Sequence, residues 1–187
     1  MTDKKPRVLV PIAHGTEEME VTILVDVLRR AGIEVVLAGL DGADTVTCSR
    51  GLRITPDLAL SQVRGDFDVI ALPGGGEGSE RFRNSAQLGV LLRAQEQAGR
   101  GLAAICAAPS AFAVHGVGKG AAMTAHPSVR ETVAAHARWS EDSVVESGEL
   151  VTSRGPGTAF AFALALVRRL CGSEVAAKVR APMMFAD

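Results

Sequence analysis

Cys106 is the residue of this sequence best suited to nucleophilic chemistry. It follows the short apolar stretch 102–105 and precedes Ala107, Ala108 and a proline, an arrangement that predicts a strand turning directly into a helix. Such a turn presents its side chain over the edge of a sheet, and a helix N-terminus lowers the pKa of a thiol. The glycines that flank the usual hydrolase turn are absent, so a buried structural cysteine is the alternative interpretation.

Glu20 is a carboxyl group that the sequence pattern places among apolar side chains. On a helical wheel its face also carries Ile23, Leu24 and Val27, whereas Glu18 points away from that face. Burial among apolar groups raises the pKa of a carboxyl, and a protonated glutamic acid can donate a proton at neutral pH. The alternative is that Glu20 only complements the dipole of the first helical turn.

Three consecutive glycines, Gly74 to Gly76, close a predicted strand. Backbone N–H groups in a glycine loop can hold an oxyanion or a phosphate. The run is not a G-x-G-x-x-G fingerprint, since Ser79 stands where the last glycine would be, so nucleotide binding is unsupported. A plain turn is the alternative interpretation.

Histidine and arginine residues in loops could assist such a site. His126, which precedes a proline, could orient the thiol or exchange protons with it. None of the four histidines has the spacing of a metal-ligand pair. Arg50 and Arg154 each lie in a Ser-Arg-Gly triplet and could bind an anion, although solvated surface arginines are the simpler interpretation.

The elements that must position these residues alternate between β-rich and helical stretches. Strands are expected over 7–13, 34–39, 68–72 and 102–105, a hairpin over 144–152, and helices over 17–31, 86–98, after 106, and over 155–170. This alternation predicts an α/β fold with a parallel sheet covered by helices on both faces. Ligands bind at the carboxyl ends of such strands, which draws attention to the loops 14–20, 73–78, 106–110 and 154–157.

Composition excludes several functional classes. The 187 residues suit one domain, and 20 basic against 21 acidic residues give a net charge of -1, which argues against a protein that coats nucleic acid. Aromatic residues make up 4%, too few for a base-stacking platform. The longest apolar run, 159–167, is far short of the ~20 residues of a membrane span. The polar N-terminus lacks signal-peptide features, and three scattered cysteines form no disulfide framework, so the expected compartment is the cytoplasm.

Several motifs in one order make the sequence resemble the parkinsonism-associated deglycase branch of the ThiJ/PfpI superfamily. The resemblance runs from Val8 to Pro182. The motifs that carry it are Gly15–Glu20, Cys48–Arg50, Asp68–Gly75, Ala104–Pro109, Thr124–Pro127 and Thr152–Thr158. Two sister groups are disfavoured. The peptidase-like branch has His where this chain has Ala107, and the class I glutamine amidotransferases use a downstream His-x-Glu that is missing here.

The resemblance implies a single flavodoxin-like domain over residues 1–187, mostly parallel in its sheet, that forms a homodimer and needs no cofactor or metal. It implies that Cys106 is the reactive, oxidation-prone nucleophile, with Glu20 as its protonated partner and His126 near the thiol. The remaining residues it implies are the oxyanion-site amides of Gly75 and Ala107, the anion-binding residues Gly74, Arg50 and Arg154, and Pro182 contributed by the partner chain.

The function implied by the resemblance is that of a cofactor-independent cysteine hydrolase or lyase. It would act as a glyoxalase or deglycase on methylglyoxal or glyoxal, or on their early adducts with amines or thiols, and release lactate or glycolate. The alternative is a sensor of oxidative stress or a redox-regulated chaperone, in which Cys106 is oxidised to a sulfinic acid. One reactive cysteine beside one protonated carboxyl would serve both functions, so the sequence leaves both open.

Overall fold

A seven-stranded sheet forms the centre of the computed structural model, which describes residues 5–185. The strands are β1 (Arg7–Ile12), β2 (Glu34–Gly39), β3 (Val46–Thr47), β4 (Arg53–Ile54), β5 (Leu58–Ala59), β6 (Val69–Leu72), β7 (Gly101–Ile105), β8 (Ala122–Met123), β9 (Arg138–Trp139), β10 (Val144–Ser147) and β11 (Leu150–Ser153). The central sheet has the order β10-β11-β7-β6-β1-β2-β5, and β3–β4 and β8–β9 form two small separate pairs. Only the β10–β11 pair in the central sheet is antiparallel.

Helices cover both faces of this sheet. They are α1 (Glu18–Arg30), α2 (Gly76–Asn84), α3 (Ala86–Gln97), α4 (Pro109–His115), α5 (Arg130–Ala134), α6 (Ala159–Cys171) and α7 (Ser173–Arg180). Alternate residues of a strand point to opposite faces, so Val8 and Val10 join a core with α1, α6 and α7, whereas Leu9 joins a second core with α2 to α5. Within residues 5–185 no helix is both long and apolar enough to cross a membrane.

The expected flavodoxin-like α/β fold with a mostly parallel sheet is confirmed, as is the late hairpin. The pattern did not predict α2, α5 or α7. Helix α2 contains two glycines and is mostly polar, so its intrinsic helix propensity is low; burial of Phe82 anchors it. Helix α4 begins at Pro109 rather than directly after Cys106, which leaves Cys106 in the turn itself.

The parallel register brings the predicted loops to one edge of the sheet. Leu72 pairs with Ala104, and Ile105 pairs with Ser153. The glycine loop, Cys106 and Arg154 therefore follow three neighbouring strands at the same end, which is where a doubly wound sheet binds its ligands.

Candidate active site

Cys106 lies in a tight turn with a left-handed backbone. Its φ of 62° is rare for a residue with a side chain, and such strain costs about 1–3 kcal/mol unless the surroundings hold it. Two backbone hydrogen bonds hold it here. The Cys106 N–H donates to the carbonyl of Ser153 at 2.9 Å, and its carbonyl accepts the N–H of His126 at 2.8 Å. The turn thus aims a half-buried thiol across the sheet edge.

Two backbone N–H groups, those of Gly75 and Ala107, lie close enough to the Cys106 sulfur to lower the pKa of its thiol. The carbonyl of each of these peptide units accepts a further backbone N–H. Glu17 donates to the Gly74 carbonyl at 3.0 Å, and His126 donates to the Cys106 carbonyl. Chains of hydrogen bonds polarise one another, so both donors that face the sulfur are strengthened by the main chain behind them.

Glu20 lies against the thiol, with 1% of its surface exposed. Its Oε2 atom accepts the N–H of Gly74 at 2.7 Å, and its side chain lies close enough to Cys106 for each group to shift the pKa of the other. Gly74 has to be small, because a Cβ there would lie 2.5 Å from the Cys106 Cβ and 2.7 Å from Glu20 Oε2. The other carboxyl oxygen, Oε1, is buried without a protein hydrogen-bond partner. A buried polar atom without a hydrogen bond lowers the stability of the folded state.

Burial sets the protonation of this pair. It raises the pKa of Glu20 from 4.5 to about 7, against the hydrogen bond from Gly74, which lowers it. Burial also raises the pKa of the Cys106 thiol to about 12, and a charge on Glu20 acts in the same direction, while the amides of Gly75 and Ala107 lower it. The two groups therefore lose one proton near neutral pH and share the other.

The expectation that a helix N-terminus lowers the thiol pKa is wrong for this geometry. Helix α4 begins three residues after Cys106, and burial outweighs the two amide donors. The wheel correctly separates Glu18 from Glu20, but Glu18 is also buried. Its carboxylate accepts from the Ser49 hydroxyl and the Arg50 N–H, both at 2.8 Å, so it anchors the neighbouring loop.

The two arginines expected to bind an anion make their hydrogen bonds to other residues. Arg50 is exposed, and its guanidinium donates to the Ser49 carbonyl at 3.3 Å. Arg154 donates to Glu141, both to its carbonyl at 2.8 Å and to its carboxylate. Among the described residues, the hydrogen bonds of both guanidinium groups thus go to these oxygens rather than to Cys106. The predicted anion pocket stays a prediction.

His126 contacts the thiol turn through its main chain. Its ring is exposed, with Nδ1 2.8 Å from the Ser128 hydroxyl and 3.2 Å from the Ser128 N–H. Ring Nδ1 accepts that backbone N–H, which assigns the proton to Nε2. The ring also lies beside Gly155, whose Cβ position would be 3.9 Å from His126 Cδ2. A catalytic role for the His126 side chain remains a prediction.

Comparison with known proteins identifies the family of this chain. Residues 6–169 match the DJ-1/PfpI family. The chain belongs to the DJ-1/PfpI family. This confirms the resemblance drawn from the motifs.

Individual DJ-1 proteins are similar over nearly the whole chain. Protein dj-1beta of Drosophila melanogaster is 48% identical over 180 residues, covering 95% of this chain and 96% of its own. The Parkinson disease protein 7 homolog of Danio rerio is 45% identical over 185 residues, covering 97% and 98%. The glutathione-independent glyoxalase DJR-1.2 of Caenorhabditis elegans is 37% identical over 185 residues, covering 98% and 97%.

Solved DJ-1 structures share the fold. The crystal structure of Drosophila melanogaster DJ-1beta superposes with a TM-score of 0.96 at 46% identity, over 98% of this chain and 100% of that one. An oxidized Toxoplasma gondii DJ-1 has a TM-score of 0.92 at 39% identity, over 97% and 100%.

The other cysteines of this DJ-1/PfpI chain differ in setting from Cys106. Cys48 is buried, and burial together with the charges of Glu18 and Glu17 raises its pKa to about 11. Burial also raises the pKa of Cys171. Within residues 5–185, no backbone amide lowers the pKa of either thiol as those of Gly75 and Ala107 do at Cys106, so the site distinguishes one thiol from three.

Sequence reasoning missed several residues that complete this DJ-1/PfpI site. Ser153 supplies the carbonyl that holds Cys106, and Glu17 supplies an N–H behind the Gly75 amide. Both belong to the motifs that carried the resemblance, but their roles are main-chain roles, which side-chain patterns do not reveal. Glu141 contacts Arg154 across 13 residues of sequence with no motif to signal it. Pro182 lines a cavity with Ala31 and Val179 in its own chain, and its predicted place in a partner's site stays a prediction.

The raised pKa of Glu20 predicts a pH-dependent loss of stability. The folded state binds the proton more tightly than the unfolded state, whose carboxyl has its ordinary pKa of 4.5. The contribution is therefore fully present below pH 4.5 and is lost as the pH rises through about 7. Between pH 5 and pH 8.5, we expect the wild type to lose about 2–3 kcal/mol of unfolding free energy relative to Glu20→Gln.

Urea unfolding at a series of pH values measures this difference. The exposed Glu80→Gln variant removes a carboxyl from α2 and serves as the control, with a constant offset from the wild type. A constant offset for Glu20→Gln as well would mean that its carboxyl is not perturbed by the fold.

Proposed function

We propose that this chain is a cysteine-dependent glyoxalase or deglycase that acts on methylglyoxal, glyoxal and their early adducts with amines or thiols. The observation that carries the proposal is the buried Glu20 carboxyl, with a pKa of about 7, beside a thiol whose own pKa the amides of Gly75 and Ala107 lower. A relative named a glutathione-independent glyoxalase, at 37% identity over nearly the full chain, supports it.

The first step joins the sulfur to the aldehyde carbon. Glu20 accepts the thiol proton as the Cys106 sulfur attacks, and the electrons of the C=O bond move to oxygen. The N–H groups of Gly75 and Ala107, which act on the neighbouring sulfur, would stabilise the oxyanion. Proton return from Glu20 gives a hemithioacetal. A carboxyl whose pKa lies near the working pH suits both directions of this transfer.

The second step moves a hydrogen within the bound substrate. Glu20 removes the proton from the carbon attached to sulfur, which gives an enediol, and a proton is returned to the neighbouring carbon. The former aldehyde carbon is oxidised to a thioester, and the former ketone carbon is reduced to an alcohol, so no external redox partner is needed. Water then cleaves the thioester, which releases lactate from methylglyoxal, or glycolate from glyoxal, and restores the thiol.

We also propose that the working form is a homodimer with Pro182 beside the partner's site. Large apolar side chains support this, since they are exposed on α1, on the loop that Glu18 anchors and on α6. They are Met19, Leu52 and Phe160. Single exposed apolar residues are ordinary, but the packing of α1 against α6 gathers two of these three elements on one side of the molecule.

A sensor function is the second candidate. An oxidized DJ-1 from Toxoplasma gondii has the same fold, and the amides that would hold a substrate oxyanion would equally hold the oxygens of a Cys106 sulfinate. The two candidates differ in turnover, because a sensor consumes at most about one equivalent of aldehyde per subunit.

The turnover assay separates them. Purified protein is incubated with methylglyoxal and no glutathione, and lactate is followed by a coupled enzyme. We expect many turnovers for the wild type, none for Cys106→Ala, and a loss of about 10²–10⁴-fold for Glu20→Gln, since it removes the group that moves every proton. Cys171→Ala, which removes a thiol without amide donors, is the matched control and should keep wild-type rates. Aldehyde loss without lactate would support the sensor instead.

The side chain of His126 should matter less than that of Glu20. Alanine at this position keeps the backbone N–H that holds the Cys106 carbonyl, and the exposed ring bonds to Ser128 rather than to the sulfur. We expect His126→Ala to lower kcat/KM by less than about tenfold, below the usual value of a direct acid or base. A loss as large as that of Glu20→Gln would make the imidazole an essential proton carrier.

A further inference from the structure

Glu141 holds its carboxylate between two arginines, Arg130 and Arg154. One oxygen, Oε1, accepts from Arg130 Nη1 at 2.9 Å and from Trp139 Nε1 at 2.8 Å. The Arg130 guanidinium also lies over the Trp139 ring, 5.2 Å from its centroid. The other oxygen, Oε2, accepts from Arg154, which also donates to the Glu141 carbonyl at 2.8 Å. Each carboxylate oxygen thus has a charged donor, so the group is oriented toward Arg154 before any ligand arrives.

Arg154 follows the strand residue that faces Cys106. Ser153 pairs with Ile105, and its carbonyl accepts the Cys106 N–H at 2.9 Å. On the other side of Arg154, Gly155 lies beside the ring of His126, whose N–H holds the Cys106 carbonyl. The main chain of Arg154 is therefore tied to the thiol turn from both sides. Without Glu141, the Arg154 guanidinium would add an unpaired positive charge on a residue whose neighbours contact the thiol turn.

We propose that Glu141 is a specificity-determining residue, which offsets the positive charge of Arg154 and so favours uncharged aldehydes at Cys106 over those that carry a carboxylate or phosphate. The substrate class rests on the proposed function. The electrostatic effect itself concerns only how Cys106 meets neutral and anionic reagents.

The size of the effect is bounded by solvent. The Glu141 side chain is 58% exposed and that of Arg154 is 26% exposed, so their attraction is screened. Exposed pairs of this kind change equilibria by about two- to fivefold, and we expect a selectivity change of that order. It should shrink at high salt.

Two alkylating reagents of nearly equal shape measure this selectivity without turnover. Iodoacetate is anionic and iodoacetamide is neutral, and both react with the thiolate. The ratio of their second-order rate constants at Cys106, followed by peptide mass spectrometry, cancels any change in the thiolate fraction. The ratio therefore reports the charge that the reagent meets at the site.

Isosteric variants give the expected pattern. Glu141→Gln should raise the iodoacetate-to-iodoacetamide ratio about two- to fivefold, because it leaves Arg154 unneutralised. Arg154→Gln should lower the ratio, because it removes that positive charge and leaves Glu141 paired with Arg130 alone, and the double variant should return toward the wild type. Glu149→Gln, which breaks an ion pair with Arg169 on the surface, removes the same charge elsewhere and should leave the ratio unchanged.

The same variants are then assayed for turnover with methylglyoxal and with a 2-oxoaldehyde that carries a carboxylate. Glu141→Gln should shift kcat/KM toward the anionic substrate by a similar factor. The proposal would be overturned if the alkylation ratio changed no more in Glu141→Gln than in Glu149→Gln. It would also be overturned if adding Arg154→Gln to Glu141→Gln did not reverse the rise. A shift in the alkylation ratio without lactate from any variant would uphold the charge effect while refuting the proposed glyoxalase function.

Discussion

The contact between the Glu20 carboxyl and the Cys106 thiol is the interaction on which the rest of the site depends. Two ionisable groups share a buried position, so burial opposes charge on either one. Their first proton leaves near pH 7, and the second stays between them. The state with a thiolate and a protonated Glu20 has the same number of protons as the state with a thiol and a carboxylate. The single negative charge of the pair can therefore lie on the sulfur, which attacks the substrate, or on the Glu20 carboxylate, which accepts a proton.

The surrounding backbone holds the Cys106 thiol and the Glu20 carboxyl in contact. Cys106 keeps a left-handed φ of 62° because β11 and the residue before Pro127 bind its amide and carbonyl. Gly74 has no room for a side chain between the thiol and the carboxyl. The strained turn and the unpartnered Glu20 oxygen destabilise the folded state. Burial of the two apolar cores, one on each face of the sheet, offsets this free energy. Placing the chemistry at the carboxyl ends of the strands leaves those cores untouched.

Periodicity accounts for what the sequence could predict. The burial of Glu20 follows from its position on one helical face, and the parallel sheet follows from alternating β-branched runs and helices. The motifs were specific enough to indicate the family. The sequence does not predict helix α2, because its glycines and polar residues give it a low helix propensity. Its stability comes from burial of Phe82. The pairing of Glu141 with Arg154 escaped because it joins two loops, where spacing carries no structural signal. The sequence does not predict the direction of the thiol pKa, because it does not reveal how far the turn buries Cys106, and it places the start of α4 two residues too early.

The pH dependence of Cys106 alkylation by iodoacetamide tests the central claim most directly. If one proton of the buried pair leaves near neutrality, the rate should rise with an apparent pKa of about 7 in the wild type. In Glu20→Gln that rise should vanish, and reactivity should appear only at much higher pH, since burial still raises the thiol pKa. A single rise near 9.0, the ordinary value of a cysteine, in both proteins would contradict the account, because it would mean that the carboxyl and the thiol titrate independently.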